Sequence, residues 1–197
     1  MNLDVTNQDD LDNLASAVAE HVPYLDGVLH SIAYAPESAL GGNFLNTAWD
    51  DVKVALEISA FSLKSLAVAV RPLMSERGGQ ILGLDFDATV TWPYYDWMGV
   101  SKAALESTTR YLARELGQDQ IRVNLIAAGP IYTTAAKSIP GFEEFGPMWQ
   151  RRAPLGWDTS DPIPTAKGCV GMFSDWFPAT TGEVIHVDGG VHSQGGP

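Results

Sequence analysis

Short apolar runs alternate with helical segments along the chain, and this alternation limits the folds that the sequence can adopt. The runs DGVLHSIA, QILGLDF, RVNLIAAG and EVIHVDGG lie at residues 26–33, 80–86, 122–129 and 183–190. Each is of strand length, and the segments between them carry apolar residues at helical spacing. Strands that alternate with helices predict right-handed crossovers and a parallel sheet covered on both faces. We therefore expect one α/β domain.

The same patterns predict where the other elements lie. The apolar residues from Leu3 to Val5 predict the end of a strand, and Thr6 with an acidic first turn predicts a capped helix after it. Further helices are predicted at residues 54–70, from the tyrosines at 94 and 95 to about 116, and at about 164–176. Residues 130–164 mix large apolar side chains with glycine, proline and charge. A long segment of this composition is more often functional than passive.

Composition excludes several classes of function. Lys and Arg number 12 against 24 Asp and Glu, which gives a formal net charge of -12. That charge opposes binding to nucleic acid phosphates and to anionic membranes. Cys169 is the only cysteine, so intramolecular disulfides and multi-thiolate zinc sites are excluded, and we expect it to be a small buried residue. The polar, acidic first residues differ from a signal peptide, and no apolar run has the length of a membrane helix, so a cytoplasmic protein is expected.

The stretch WPYYDWMGVSK at residues 92–102 places two tyrosines before a lysine. Tyr95 precedes Lys102 by seven positions and Tyr94 by eight, so both lie near the lysine's face of a helix. Spacing alone does not choose between them. One interpretation is an ordinary amphipathic helix start with a solvated lysine. The other is a tyrosine that donates a hydrogen bond to a developing oxyanion, while the lysine binds a polyol or lowers the pKa of the tyrosine.

The motifs around these residues resemble a known family. They are DFD, PxYxWMxVxKxALES, AAGPIxT, RAPxGW and SDWxPATTGxxIxxDGG, and together they extend over nearly the whole chain. The combination resembles the short-chain dehydrogenase/reductase superfamily, and within it the NADH-dependent enoyl-acyl carrier protein reductases, closest to the mycobacterial type. Ordinary superfamily members have a tyrosine four residues before the lysine, where this chain has Met98. The resemblance therefore selects Tyr95 and implies a Rossmann-like, doubly wound parallel sheet.

The resemblance also implies roles for individual residues. Tyr95 is expected to donate a hydrogen bond to a thioester carbonyl, Lys102 to hold the nicotinamide ribose of NADH, and Phe86 to lie at the active-site mouth. Hydride would pass to C3 of a trans-2-enoyl thioester, and Tyr95 would stabilise the enolate. Ala33 departs from the family, which has glycine there. The expected cofactor-binding positions are Asp4 and Val5 at the adenine edge, Ser31, Ile32 and Ala33 after a strand, Leu84, and Gly129, Pro130, Ile131 and Thr133.

The apolar segment at residues 134–150 resembles the family's substrate-binding loop. Its expected acyl-chain contacts are Ile139, Phe142, Phe145 and Met148. The alternative interpretation is a helix that simply packs on the core. Arg151 and Arg152 are either contacts for the acidic acyl carrier protein or ordinary solvated surface. His192 has no visible partner in the sequence, so we expect it to be structural or merely exposed. The resemblance further implies a homotetramer.

One feature of nucleotide-binding sheets has no counterpart in the sequence. No glycine-rich turn lies between a strand and a following helix. Aligned to the family, Asp4 and Val5 end the third strand, so we expect a partial domain that lacks the first two βα units and binds NADH poorly. Three hypotheses follow: an enoyl-acyl carrier protein reductase of fatty acid or mycolic acid synthesis, a non-catalytic fragment of that fold, and a reductase of ketones or alcohols. Met98 and the DFD motif oppose the third.

Overall fold

The computed structural model describes residues 2–133 and 136–195, which form a parallel sheet flanked by helices. In this part of the chain, four strands pair in chain order, each with the next. They are β1 Gly27–His30, β2 Gly79–Asp85, β3 Ile121–Ala128 and β4 Val184–Val187. The four predicted strands and the α/β class are therefore confirmed. Leu29 pairs with Leu82, and Leu82 pairs with Asn124, so the carboxyl ends of the first three strands lie along one edge.

Within the described ranges, six α-helices connect and flank these strands. They are α1 Gln8–Ala19, α2 Trp49–Leu56, α3 Ser62–Val70, α4 Asp96–Leu116, α5 Phe145–Arg152 and α6 Ile163–Phe173. A π-helical turn at Glu57–Phe61 separates α2 from α3, so the single helix predicted at 54–70 is two helices joined by a wider turn. The helix predicted to reach residue 176 ends at Phe173, because the hydroxyl of Ser174 donates to the Gly171 carbonyl oxygen and the backbone becomes extended there.

Both faces of the sheet are covered, as the alternation predicted. Ile81 and Leu125 face one layer and pack with buried residues of α3 and α4. Leu82 and Ile126 face the other layer and pack against Met172 of α6. The predicted small buried residue Cys169 lies in this second layer. The period of two along β2 and β3 thus divides the apolar side chains between two cores.

The first residues differ from the prediction of a strand end. The Asp4 carboxylate accepts hydrogen bonds from the backbone and hydroxyl of Thr6, and the Asn7 backbone N–H donates to the Asp4 carbonyl oxygen. These contacts close a turn, so residues 3–5 are not extended in a strand. Asn7, rather than Thr6, caps α1 by accepting from the N–H groups of Asp9 and Asp10. The helix then buries Leu14 in the core that contains α3.

Residues 130–164, expected to be a long irregular segment, contain α5, short turns and the start of α6. Turns of 3-10 helix lie at Ala136–Ser138 and Phe142–Glu144, and α5 follows directly. Of the predicted substrate segment, Thr134 and Ala135 lie outside the described residues.

Across the described ranges, no helix combines the length and the apolarity required to cross a bilayer.

The core of α3 gives a direct test of this packing. Leu63 is completely buried, whereas Val68 on the same helix is 54% exposed. Leu63→Ala removes apolar contacts and leaves a cavity, so it is expected to lower the free energy of unfolding by about 3 kcal/mol. Val68→Ala serves as the control and is expected to cost less than about 0.5 kcal/mol. If urea unfolding shows the same loss in the free energy of unfolding for both variants, the placement of α3 is contradicted.

Candidate active site

A cavity of about 310 Å³ opens at the carboxyl ends of the first three strands. In open parallel sheets this edge is where ligands bind, because the connecting loops leave a crevice there. The segments after β1, β2 and β3 each contribute to its wall, together with the start of α4 and the turns before α5. The site is therefore assembled from five separate parts of the sequence.

Tyr95 and Lys102 both line this cavity, and Tyr94 does not. Tyr95 and Lys102 are two helical turns apart, which places both on the face of α4 that contacts the sheet. Tyr95 is buried with 9% of its surface exposed, whereas Tyr94 is 36% exposed. Burial, with the nearby Asp85 charge, raises the pKa of Tyr95 above its ordinary value. The phenol therefore stays protonated at neutral pH and is available as a hydrogen-bond donor.

The ammonium of Lys102 is held against the end of β2. Its Nζ donates to the carbonyl oxygen of Leu84 at 2.9 Å and lies 3.8 Å from Oδ1 of Asp85. Burial lowers the pKa of Lys102, and the charge of Asp85 opposes that change. These contacts leave further N–H donors of the ammonium for a ligand.

Asp85 was missed by the sequence reasoning. Burial raises the pKa of its carboxyl to about 7, against the lowering effect of Lys102. Desolvation therefore exceeds the attraction of this ion pair, which at 3.8 Å is longer than a hydrogen bond. Among the described residues neither carboxylate oxygen has a hydrogen-bond partner. The available signal was the first residue of the DFD motif, which directly precedes Phe86.

His30, at the end of β1, is a second buried polar residue that sequence reasoning missed. Its Nε2 lies 2.7 Å from the hydroxyl of Ser62, and its Nδ1 has no partner within the described ranges. Burial, followed by the charge of Lys102, lowers the pKa of His30 to about 4. The ring is therefore neutral at physiological pH, and its position inside an apolar strand run was the only sequence signal.

Aromatic side chains form the apolar wall of the cavity. The ring of Phe86 lies 5.1 Å from that of Tyr95, 5.8 Å from Phe145 and 5.5 Å from Trp149, measured between centroids. Three of the predicted substrate contacts, Ile139, Phe142 and Phe145, line the cavity. Met148 packs in the same aromatic cluster without lining it. The segment therefore both packs on the core and presents an apolar surface to the site.

The predicted cofactor positions divide into two groups. Ala33, Leu84, Gly129, Pro130, Ile131 and Thr133 line the cavity, and Asp4, Val5, Ser31 and Ile32 do not. A Cβ on Gly129 would lie 2.6 Å from the ring of Trp157, whose Nε1 donates to the Pro130 carbonyl oxygen at 2.8 Å, so only glycine fits this strand end. The roles of both groups toward a cofactor stay predictions.

The structure gives His192 a partner that the sequence did not show. Its Nδ1 lies 3.1 Å from both carboxylate oxygens of Asp188, and its ring stacks on that of His186 at 3.8 Å. Gly189 and Gly190 adopt positive φ, which turns the chain back so that residue 192 contacts residue 188.

The two adjacent arginines at the end of α5 differ in their surroundings. Arg152 donates to the Gln194 carbonyl oxygen, and Arg151 is exposed.

One family model and several known proteins are similar to this chain over nearly its whole length. A family model described as "Enoyl-(Acyl carrier protein) reductase" matches residues 1–192. An enoyl-[acyl-carrier-protein] reductase [NADH] of Mycolicibacterium smegmatis is 45% identical, over 98% of this chain and 77% of the relative. A protein of the same name from Mycobacterium avium is 42% identical, over 98% and 76%. The enoyl-[acyl-carrier-protein] reductase [NADH] FabI of Aquifex aeolicus is 41% identical, over 98% and 71%.

The low pKa of His30 is directly measurable. Its ring resonance, assigned by its loss in His30→Gln, is expected to titrate with a midpoint of about pH 4. Because the unfolded chain binds this proton near pH 6.5, the contribution of His30 to stability is complete above that pH and is lost as the pH falls toward 4. A midpoint near the ordinary histidine value contradicts the burial of this ring beside Lys102.

Proposed function

We propose that this chain, which belongs to the enoyl-(acyl carrier protein) reductase family, reduces trans-2-enoyl thioesters of acyl carrier protein with NADH. The pathway is type II fatty acid synthesis, with mycolic acid synthesis as a more specific form. One observation carries the proposal: Tyr95 and Lys102 line one cavity at the strand ends together with the apolar residues Ile139, Phe142 and Phe145.

The residues around Lys102 fit the nicotinamide end of the cofactor. A buried ammonium with free donors lies in the cavity wall beside a buried carboxylate that has no hydrogen-bond partner among the described residues. A ribose with two hydroxyls both accepts from and donates to such a pair. Lys102 would hold this ribose, while Leu84, Gly129, Pro130 and Ile131 would contact the ring and its carboxamide. When bound, NADH supplies the hydride that the reaction requires.

Tyr95 would act on the thioester oxygen. Negative charge develops on that oxygen as C3 of the enoyl group gains a hydride, and a fixed donor stabilises this charge in the transition state. The raised pKa of the phenol keeps its proton in place until then. Two neighbouring side chains also limit its movement, because the ring of Phe86 contacts Tyr95 and Met98 packs beside it.

The apolar wall would receive the acyl chain and exclude water from the reacting atoms. Phe142 and Phe145 are buried, and their rings lie 5.7 Å apart. A dry, apolar surface strengthens the hydrogen bond from Tyr95 and holds the enoyl group against the strand ends.

A second candidate is a non-catalytic protein of this fold that does not bind NADH alone. The strand order favours it, because the described strands pair in chain order without the reversal that forms a dinucleotide crevice. Leu29 on β1 is 46% exposed, and among the described strands β1 pairs with β2 alone. Reduction of a ketone is disfavoured, because the position four residues before Lys102 is the buried Met98 and not a tyrosine.

The proposal includes partners and location. Acyl carrier protein would carry the substrate, and the exposed Arg151 at the end of α5 would offer a local positive charge to it. A homotetramer and a cytoplasmic location, both implied by the family resemblance, belong to the same proposal.

Tyr95→Phe tests the proposed chemistry. Loss of one oxyanion donor is expected to lower kcat for a crotonyl thioester by roughly 10²–10³-fold. Tyr94→Phe is the matched control, since this exposed neighbour does not line the cavity, and its kcat should stay within about twofold of wild type. An active protein in which Tyr95→Phe retains the wild-type rate contradicts the assignment of Tyr95.

A further inference from the structure

The turn that begins α4 contains two backbone conformations that side chains rarely adopt. Tyr94 has φ of 63° and Asp96 has φ of 40°, and both lie in the left-handed region. Tyr95 between them has an ordinary right-handed conformation. Each left-handed residue costs on the order of 1–3 kcal/mol and persists only where its surroundings fix it. The residue whose direction this turn sets is Tyr95.

Residues 40–44, here named the bracket segment, contact this turn and stabilise its conformation. The Gly41 N–H donates to the Tyr94 carbonyl oxygen at 2.9 Å. The N–H groups of Gly42 and Asn43 both donate to Oδ2 of Asp96, at 2.7 and 2.9 Å. Two backbone donors that converge on one carboxylate oxygen form charge-assisted hydrogen bonds, which are stronger than neutral ones. The Asp96 side chain is thus the main polar link between the bracket segment and α4.

Apolar contacts extend the same link on both sides. Trp97 donates from Nε1 to the Phe44 carbonyl oxygen at 3.0 Å, and the two rings stack at 4.7 Å. Leu40, at the other end of the bracket segment, is buried against Tyr95 and Met98 and lines the cavity. The bracket segment therefore contacts the residues before, at and after the position of the phenol.

The substrate segment lies directly on this assembly. A Cβ on Gly141 would lie 2.5 Å from the ring of Tyr94, and a Cβ on Gly41 would lie 3.2 Å from Pro140. Both glycines have positive φ. The substrate segment thus packs against Tyr94 in the turn and against Gly41 in the bracket segment.

We propose that Asp96 is a positioning residue for Tyr95, acting through the hydrogen bonds that it accepts from the bracket segment. The proposal rests on the function proposed above. Without an acceptor at residue 96, the turn relaxes toward the right-handed conformation, and the phenol moves away from the thioester oxygen. Oxyanion stabilisation requires a donor within about 3 Å, and a displacement of about 1 Å can cost roughly 10²-fold in rate.

Three variants separate positioning from general stability. Asp96→Ala removes the acceptor and is expected to lower kcat for a crotonyl thioester by roughly 10–100-fold, with KM and the Kd for NADH within about twofold of wild type. Asp96→Asn keeps an acceptor oxygen and tolerates positive φ, so it should recover most of the loss. Asp158→Ala is the matched control: this exposed carboxylate also accepts a backbone N–H, from Ser160, and like Asp96 it does not line the cavity.

A spectroscopic readout tests positioning without depending on turnover. In protein labelled at the tyrosine rings, the resonance lost in Tyr95→Phe reports the environment of the phenol. It is expected to shift in Asp96→Ala, to return toward wild type in Asp96→Asn and to stay unchanged in Asp158→Ala. If Asp96→Ala does not fold, Asp96→Gly removes the same acceptor while allowing positive φ freely, and the same shift is expected.

The two readouts distinguish the two proposals. An inactive wild-type protein whose Tyr95 resonance still moves in Asp96→Ala rejects the proposed function and supports the positioning role. An unmoved resonance, or an active protein with unchanged kcat in Asp96→Ala, overturns the positioning role whatever the function. A kcat that Asp96→Asn does not restore also overturns it.

Discussion

Lys102 joins α4 to the carboxyl end of β2, and the arrangement of the site depends on this contact. A lysine with only 5% of its surface exposed is stable only where its charge is satisfied. Here the ammonium donates to the Leu84 carbonyl oxygen and pairs with Asp85, and both residues lie at the end of one strand. The contact fixes the rotation of α4 about its axis, because the ammonium has to reach that strand end. The same rotation points Tyr95, two turns earlier, into the cavity.

The charges around Lys102 form one coupled group in a region of low polarity. Burial raises the pKa of Asp85 to about 7 and lowers that of His30 to about 4. Both shifts favour the neutral forms of these neighbours. Burial likewise disfavours the Tyr95 anion, so the phenol keeps its proton, whereas burial lowers the pKa of Lys102 and the charge of Asp85 opposes that change. Glu106 and Asp87 add negative charge beside Asp85. The result is a site with donors at both Tyr95 and Lys102, suited to an oxyanion and a polyol.

Much of the fold was predictable because it rests on local patterns. Apolar runs of strand length located the four strands of the described residues, and the seven-residue spacing placed Tyr95 and Lys102 on one face. The features that sequence reasoning missed depend on contacts between distant segments. Asp85 becomes notable only when Lys102 lies beside it, and Asp96 only when residues 42 and 43 donate to it. The prediction of a strand end at residues 3–5 was wrong, because the Asp4 side chain closes a local turn there. His192 gained a partner because two glycines reverse the chain.

A fluorescence titration of the 197-residue protein with NADH tests the central claim most directly, namely that the cavity holds the cofactor through Lys102. The matched control is Lys64→Ala, which removes an exposed lysine from α3. Weak but saturable binding is predicted for the wild type and for Lys64→Ala, with binding at least about tenfold weaker still in Lys102→Ala because the donor to the ribose is lost. Absence of saturable binding by the wild type, or an equal Kd in Lys102→Ala, contradicts the account.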